Sequence, residues 1–210
     1  MRSVGTGTLA VGYLTRNDDE RIHLIRNLIF ESIKDPLVLW VARSIVSKCP
    51  SRDEGCEIEA IYNAVKHGPI PIPIFDESKK KVIKTIQAPG LRFTEDTQLI
   101  DNYPSAGLTL EWMAQGANAE DCDGHSILVN SLLMALGYQT GLVIVSKDGK
   151  YYVHIFPVVG VPRLAPLEWI PIDTTVPQAN VGWWPPPSYG IKKMKLYAVK
   201  PGKIQGRRIV

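Results

Sequence analysis

The distribution of proline constrains this chain more than any other feature of its sequence. Fourteen of its 16 prolines lie beyond residue 68, yet none falls between Ser105 and Phe156. Proline removes a backbone hydrogen-bond donor and interrupts helices and central strands, so a long stretch without it predicts regular secondary structure. The prolines that alternate with isoleucine over 69–74 predict an extended segment, and Pro171 predicts that its strand lies at the edge of a sheet.

Composition excludes several classes of protein. The chain has 210 residues, of which 45% are hydrophobic, enough for one large domain or two small ones. No apolar run approaches the roughly 18 residues of a membrane helix, and the first twenty residues do not resemble a signal peptide. Three cysteines are too few for a disulfide scaffold, so Cys49 and Cys56 are expected as free thiols in a reducing compartment, the cytoplasm.

Positive charge is concentrated at the C-terminus. The last 20 residues hold seven of the 24 lysines and arginines and no acid, which leaves 17 basic against 21 acidic side chains in the rest of the chain. Such a tail suits an acidic partner or nucleic acid. Aromatic residues do not alternate with the basic ones as they do in single-strand binders. A solvated final strand with a frayed end is therefore expected, and nucleic-acid binding is not.

The regions before the window without proline show one clear and one weak pattern. Apolar periodicity and capping residues predict three N-terminal helices, at about 20–34 after Asp18 or Asp19, at 36–48 after Asp35, and between a Ser51–Glu54 capping box and Gly68. Residues 75–110 show no strong period and are expected to form loop with short extended pieces.

The window itself holds the strongest pattern. A helix that is apolar on most faces begins at about Asp123 and ends before Gly137, which predicts a buried central helix. Strand-like runs follow it, and an Asp-Gly pair between the first two is typical of a hairpin. The predicted strands are Thr140–Ser146, Tyr151–Val159, Trp169–Asp173 and Lys195–Lys200.

Cys122 is the first candidate for chemistry, because it stands at the start of the central helix. The unpaired amides and positive dipole end of a helix N-terminus stabilise a thiolate, which lowers the pKa of a cysteine. Asp121 and Asp123 on either side oppose this effect, although Asp123 can use its carboxylate to cap helix amides. His125, one turn further along, can raise the thiolate fraction but is poorly placed as a general base.

A cysteine nucleophile needs a base, and the base needs an acceptor that orients it. His154 lies within a predicted strand and Asp173 ends the next, so the order Cys122, His154, Asp173 has gaps of 32 and 19 residues. Antiparallel pairing of these strands would set the imidazole between the thiol and the carboxylate. On spacing alone, the alternative stays open that the three are a buried cysteine, a locally bonded histidine and a turn aspartate.

Two metal sites are weaker alternatives. Asp121-x-Asp123-Gly124 is similar to the beginning of a calcium loop, but the further acidic ligands and the closing glutamate are missing. Cys49, Cys56 and Cys122 offer three zinc ligands, but without a Cys-x-x-Cys knuckle. No metal and no cofactor is therefore expected.

Together these residues resemble the transglutaminase-like superfamily, whose core has a cysteine helix, a histidine strand and a strand that ends in aspartate. Glu120 stands where the family commonly has glycine. The similar segments are Asp121–Ser126 with the leucine-rich helix up to Tyr138, Val153–Ile155, Trp169–Thr175, and the upstream helix Ile58–Lys66.

The resemblance implies an α+β, papain-like fold with N-terminal helices and a central cysteine helix packed on an antiparallel sheet. It implies acyl transfer through a thioester, in which Cys122 attacks a peptide or side-chain amide, His154 moves the proton and Asp173 orients the imidazole. The Cys122 amide would bind the oxyanion. Hydrolysis, as in a protease or amidase, is favoured over transfer to an amine, because an amine needs its own groove. Small members with this layout occur in bacteriophages and prophages, which implies a virion or assembly setting as an alternative to the cytoplasm.

A non-enzymatic structural or assembly module with the same fold is the competing hypothesis. Its contact surface would be Trp183, Trp184 and the basic tail. The expected partners are a protein or peptide substrate and a virion or assembly partner, without a membrane. The predicted organisation is an N-terminal helical extension over 1–34, a transglutaminase-like core over 35–176, and a tryptophan- and proline-rich arm with the basic strand or tail over 177–210.

Overall fold

The chain folds as an α+β protein. A computed structural model describes residues 9–13, 18–76, 78, 81–95, 100–200 and 206–209. The α-helices in this part are α1 (Asp18–Ser32), α2 (Pro36–Ile45), α3 (Glu54–His67), α4 (Ala106–Ala114) and α5 (Cys122–Ala135). None of them is long and apolar enough to cross a membrane.

The strands form one large sheet and three small pairs. They are β1 (Leu9–Tyr13), β2 (Ile70–Asp76), β3 (Lys81–Ala88), β4 (Arg92–Phe93), β5 (Ile100–Pro104), β6 (Ala119–Glu120), β7 (Thr140–Ser146), β8 (His154–Val161), β9 (Glu168–Pro171), β10 (Lys193–Ala198) and β11 (Gly206–Arg208). The large sheet is antiparallel with the order β11-β10-β7-β8-β9, while β1 pairs with β5, β2 with β3, and β4 with β6.

The large sheet confirms the predicted hairpin and the predicted edge strand. β7 and β8 are antiparallel neighbours, with Val145 opposite His154. β9 lies at one edge, as Pro171 predicts. The expectation of a solvated final strand with a frayed end is wrong for β10, which lies inside the sheet between β7 and β11. Lys203 of the basic tail falls outside the described residues.

Helix α5 is the centre of the fold, as its apolar pattern predicts. Residues 123–133 are all buried, and every residue of β7 is buried as well. α5 packs against β8 and against α1, α2 and α3. Ile25 and Ile29 of α1 belong to the same apolar core as Leu128 of α5. The N-terminal helix therefore packs directly on the helix that carries Cys122.

The helix starts test the predicted caps. Asp35 caps α2 as predicted, since its Oδ1 accepts the Leu37 N–H at 2.8 Å. The predicted capping box at Ser51 is wrong, because Asp53 caps α3 and accepts the Cys56 N–H at 2.9 Å. Asp18 and Asp19 are not caps either, because they lie within the first turn of α1.

The region from 75 to 110 is more regular than its sequence predicts. β3 is a full strand paired with β2, but most of its residues are exposed, so no inward face imposes an alternating pattern. α4 is capped by Ser105 and has buried residues on several sides, so no single apolar stripe marks it. Both elements depend on tertiary packing, so the local sequence pattern does not predict them.

Two cysteines that the sequence predicts as free thiols are joined. Cys49 and Cys56 form a disulfide with an S–S distance of 2.10 Å. The bond links the residue after the short 3-10 helix Val46–Lys48 to the first turn of α3, and Asp53 caps α3 within the same loop. Disulfides persist mainly in oxidising compartments, so the cysteines do not favour a reducing one and the cytoplasmic location stays a prediction.

Candidate active site

Cys122 is the first residue of α5, and its neighbours order the helix end. Asp121 is the cap, since its Oδ1 accepts the Gly124 N–H at 2.9 Å and its carbonyl accepts the His125 N–H at 3.1 Å. Asp123, which the sequence offers for capping, lies within the first turn, and its carboxylate bonds to Arg21. The first N–H of a helix has no acceptor within the helix, so the Cys122 amide is directed out of the helix end.

The resting form of Cys122 is the thiol. Burial raises the pKa of Cys122 well above its ordinary value, and the carboxylates of Asp123 and Asp121 raise it further. The backbone amide of Ile155 and the charge of Arg21 oppose this rise without reversing it. The expectation that the helix N-terminus lowers the pKa of Cys122 is therefore wrong, and a base must take the proton when the sulfur reacts.

His154 and Asp173 form a hydrogen-bonded pair. His154 Nε2 lies 2.7 Å from Asp173 Oδ2, and the two side chains are 22% and 1% exposed. Since Asp173 occupies Nε2, the nitrogen left for chemistry is Nδ1. A buried carboxylate next to one ring nitrogen fixes the orientation of an imidazole and stabilises its charged form.

The second oxygen of Asp173 is held by the residues that follow it. Asp173 Oδ1 accepts from the Thr175 N–H at 2.9 Å, the Thr175 hydroxyl at 2.7 Å and the Val176 N–H at 3.3 Å. Burial raises the pKa of Asp173, but the bond and charge of His154 and the two Thr175 donors outweigh it and lower the pKa overall. The carboxylate is therefore ionised at neutral pH.

Strand pairing brings these side chains to the end of α5. His154 is the first residue of β8, and β9 runs back along β8 until Pro171 lies opposite Val158. Asp173 follows two residues after Pro171. Because α5 packs on β8, Cys122 and His154 line the same cleft, which has a volume of about 100 Å³.

Helix α1 supplies one wall of this cleft. Arg21 Nη2 donates to Asp123 Oδ2 at 2.9 Å, and Arg21 Nε donates to the Tyr103 hydroxyl at 3.1 Å. The Asp123 side chain is only 3% exposed, so the ion pair compensates a carboxylate that is buried next to Cys122. Arg21 and Asp123 are 102 residues apart, and no local signal in the sequence predicts their contact.

His125 takes no part in the thiol chemistry. It is fully buried, and its Nδ1 lies 2.8 Å from the Thr174 hydroxyl. Burial lowers the pKa of His125 to about 4, so the ring is neutral at physiological pH. The expectation that it raises the thiolate fraction of Cys122 has no support, because a neutral ring contributes no positive charge. His125 instead fixes the residue that follows Asp173.

Lys66 of α3 holds the segment after Asp173 from the other side. Its Nζ donates to the Val176 carbonyl at 2.9 Å and to the Ala179 carbonyl at 2.6 Å. The Tyr62 hydroxyl, one turn earlier on α3, also donates to the Ala179 carbonyl. The sequence marks these two side chains only as part of a helix, so their role in the site has no local signal.

The tryptophans of the predicted contact surface pack against different partners. The Trp183 ring packs edge-on against Tyr189 at 5.4 Å, whereas the Trp184 ring packs against Phe156 of the sheet at 6.1 Å. Trp184 therefore anchors the arm to the sheet. Lys193 of the basic segment has its Nζ 5.4 Å from the centre of the Tyr152 ring.

The metal alternatives find no support. Cys49 and Cys56 are bonded to each other, so they cannot serve as thiolate ligands for zinc. Asp123 is paired with Arg21. Within the described ranges, no group of three or more histidine, cysteine or acidic side chains is placed to hold a metal ion.

The sequence matches no protein-family model, and it has no significant match among curated proteins.

Proposed function

We propose that this chain is a transglutaminase-like cysteine hydrolase with a papain-like core, which acts on peptide or side-chain amide bonds through a thioester. The observation that carries the proposal is the His154–Asp173 pair at 2.7 Å, with His154 and Cys122 on one cleft. The segments around these three residues also resemble the motifs of the family. The proposed catalytic residues are Cys122, His154 and Asp173.

The first half of the reaction forms the thioester. His154 Nδ1 takes the proton of the Cys122 thiol while the sulfur attacks the amide carbon, and the tetrahedral oxyanion forms next to the Cys122 N–H. His154 then gives its proton to the leaving nitrogen, and the C–N bond breaks. Asp173 stays ionised and stabilises the imidazolium between the two transfers.

The second half returns the enzyme to its starting state. A water molecule replaces the released amine, and His154 Nδ1 takes its proton as the oxygen attacks the thioester carbon. The carbon–sulfur bond breaks, the sulfur recovers the proton from His154, and a carboxylic acid leaves. Because the resting sulfur is a thiol, attack requires that His154 take its proton.

Water is the proposed acceptor. The cleft that Cys122 and His154 share has a volume of only about 100 Å³, and charged side chains of Arg21 and Asp123 line it. Such a space admits water readily, whereas an amine on a protein side chain needs a longer channel. The setting of the reaction, including a role in a phage or prophage, is supported by the resemblance alone.

A structural or assembly module is the second candidate, and one observation favours it. The Cys122 side chain is half-buried, and desolvation and two neighbouring carboxylates raise the pKa of its thiol, an environment that suits an unreactive cysteine. Under this hypothesis Cys122→Ala leaves the biological role intact. Under the enzyme hypothesis the same variant abolishes it.

Acylation by a small activated ester tests the enzyme hypothesis. We expect para-nitrophenyl acetate to transfer its acetyl group to Cys122, located by mass spectrometry of the native, disulfide-bonded protein, and water to release it again. His154→Ala should slow acylation by about 10³-fold, because the base is removed. His23→Ala, which removes an exposed histidine of α1, is the matched control and should leave the rate unchanged. An unmodified Cys122, or equal rates in both variants, would refute the proposal.

A further inference from the structure

A second, larger groove begins where the His154–Asp173 pair ends. It has a volume of about 640 Å³, and both residues of the pair line it. The rest of its lining is mostly apolar and includes Phe93, Val153 and Trp183. Phe93 is 40% exposed and Val153 is 59% exposed. Apolar side chains left exposed around a concave surface next to reactive groups are typical of a binding site.

The C-terminal arm makes one part of this groove, and the arm is held in place. Trp183 and Pro185 line the groove, while Trp184 between them contacts Phe156 on the sheet. Alternation of this kind is expected of an extended chain. Three consecutive prolines, Pro185–Pro187, restrict the backbone of the arm. The groove is therefore formed before a ligand arrives, which lowers the entropic cost of binding.

One lysine among the lining residues of the groove is available to a ligand. Lys147 lines the groove, and within the described part of the chain Lys147 takes part in no ion pair. Both carboxylate oxygens of Asp173 are already engaged, Oδ2 by His154 and Oδ1 by Thr175 and the Val176 N–H. The neighbouring Asp148 is engaged elsewhere, because its carboxylate accepts the Lys150 and Tyr151 amides inside the hairpin turn. A ligand with a carboxylate complements this charge.

The sheet register sets the distance between the lysine and the reactive pair. Val145 lies opposite His154, and Lys147 is two residues further along the chain. At about 3.3 Å per residue, this places the lysine backbone about 7 Å beyond the level of His154. In an extended peptide whose reacting amide lies at His154, the second or third residue from that amide therefore lies level with Lys147.

We propose that this groove is the recognition subsite for a substrate peptide that carries a large apolar side chain beside the reacting amide and an acidic side chain two or three residues away. Phe93, Val153 and Trp183 receive the apolar side chain, and Lys147 pairs with the carboxylate. The inference rests on the proposed function, since it names the class of peptide that the hydrolase takes.

Peptide binding to the Cys122→Ala protein tests the proposal without turnover. The probe is a blocked extended peptide with phenylalanine next to a glutamine amide and glutamate two residues away, and calorimetry gives the Kd. Replacing phenylalanine by alanine in the peptide should weaken binding by about tenfold or more. Replacing glutamate by lysine should weaken it by about threefold at low salt, and by less at high salt.

Protein variants locate the binding in the groove. Phe93→Ala should weaken peptide binding by about as much as replacing the phenylalanine of the peptide by alanine. Lys147→Glu should reverse the charge preference, so that the lysine peptide binds more tightly than the glutamate peptide. Ile83→Ala and Lys150→Glu are matched controls, an exposed apolar residue of β3 and a lysine of the same hairpin, and neither should change the Kd.

The outcomes separate this inference from the proposed function. Equal Kd values for the three peptides, no binding at millimolar concentration, or no reversal in Lys147→Glu would overturn the groove. Acetylation of Cys122 by para-nitrophenyl acetate does not require the groove, so it reports the chemistry independently. Peptide binding without Cys122 acylation would instead refute the hydrolase and leave a peptide-binding groove.

Discussion

His154 and His125 bond to consecutive residues, yet they differ in every property that matters for catalysis. His154 lies 2.7 Å from the Asp173 carboxylate and is 22% exposed, at the junction of two clefts. His125 lies 2.8 Å from the Thr174 hydroxyl and is fully buried. One ring faces a negative charge and solvent, and the other faces a neutral partner and the core.

The hydrogen-bond partner and the burial of each histidine decide whether its ring can carry a proton. A carboxylate stabilises an imidazolium, so His154 can hold a proton between two steps of a reaction. Burial disfavours the charged form and lowers the pKa of His125 to about 4, so this ring stays neutral and fixes the backbone beside Asp173. Sequence position does not separate the two, since both lie in the region without proline.

The largest effect is expected on the chemistry of His154, the more exposed of the two histidines. Under the proposed mechanism, His154→Ala should reduce turnover of a peptide substrate by about 10³-fold, because the thiol, the leaving amine and water lose the group that carries their proton. The free energy of unfolding should fall by about 1–2 kcal/mol, because the buried Oδ2 of Asp173 loses its hydrogen-bond partner. Steady-state kinetics and urea denaturation of the same preparation check both values. A stable variant that keeps its turnover would show that His154 is not the base.

Replacing His125, the buried histidine, should affect stability more than turnover. His125→Ala should lower the free energy of unfolding by about 3 kcal/mol, because it leaves a cavity and an unbonded Thr174 hydroxyl. Turnover per folded molecule should fall by less than about tenfold, since no proton passes through this ring. Urea denaturation gives the first value and activity below the transition gives the second. A loss of turnover equal to that of His154→Ala would erase the distinction between the two histidines.

Acid should destabilise the protein through His125. Its pKa is lowered from 6.5 to about 4 in the folded state, so its contribution to stability is full above pH 6.5 and is lost as the pH falls to about 4. The loss amounts to about 3 kcal/mol at most. The pKa of Asp173 is lowered from 3.8, so the contribution of Asp173 disappears only at lower pH and leaves this window clear.

His125→Asn isolates the acid effect. Asparagine can keep a bond to Thr174 but does not titrate, so the free energy of unfolding of this variant should vary less between pH 6.5 and pH 4 than that of the wild type. Chemical denaturation at each pH measures the difference. Parallel curves for the two proteins would show that His125 is not the titrating group.

The smallest effect concerns how Asp173 is held. Thr175→Val removes the hydroxyl that donates to Asp173 Oδ1 at 2.7 Å, so we expect turnover to fall by about tenfold. In the wild type this bond lowers the pKa of Asp173, so its loss should raise that pKa. The acid limb of the pH–rate profile should therefore also move to higher pH. Thr109→Val in α4, a buried threonine away from the site, is the control. A lower rate with an unmoved acid limb would indicate a structural effect only.

Much of the fold follows from local pattern. α5 is apolar on most faces, the Asp-Gly pair marks the β7–β8 hairpin, and Pro171 marks an edge strand. The sequence pattern does not predict β3 or α4, because β3 is exposed along most of its length and α4 has no single apolar face. The Cys49–Cys56 bond also escapes, because the number of cysteines does not reveal their distance.

The candidate site divides in the same way. Cys122, His154 and Asp173 are recognisable from residue type, order and resemblance, and Thr175 is close to one of them in the chain. Arg21 and Lys66 are not recognisable, since each acts across about half of the chain. Local pattern predicts the wrong direction for the pKa of Cys122, because burial by other elements outweighs the helix end.

Alkylation of Cys122 as a function of pH tests the central claim most directly. Cys122 is the one cysteine outside the disulfide, so iodoacetamide under non-reducing conditions reports on it alone. We expect wild-type Cys122 to react at neutral pH about tenfold or more faster than Cys122 in His154→Ala, because the imidazole takes the thiol proton. Above the raised pKa of the thiol the two rates should converge. Equal rates in both proteins at every pH would contradict the account.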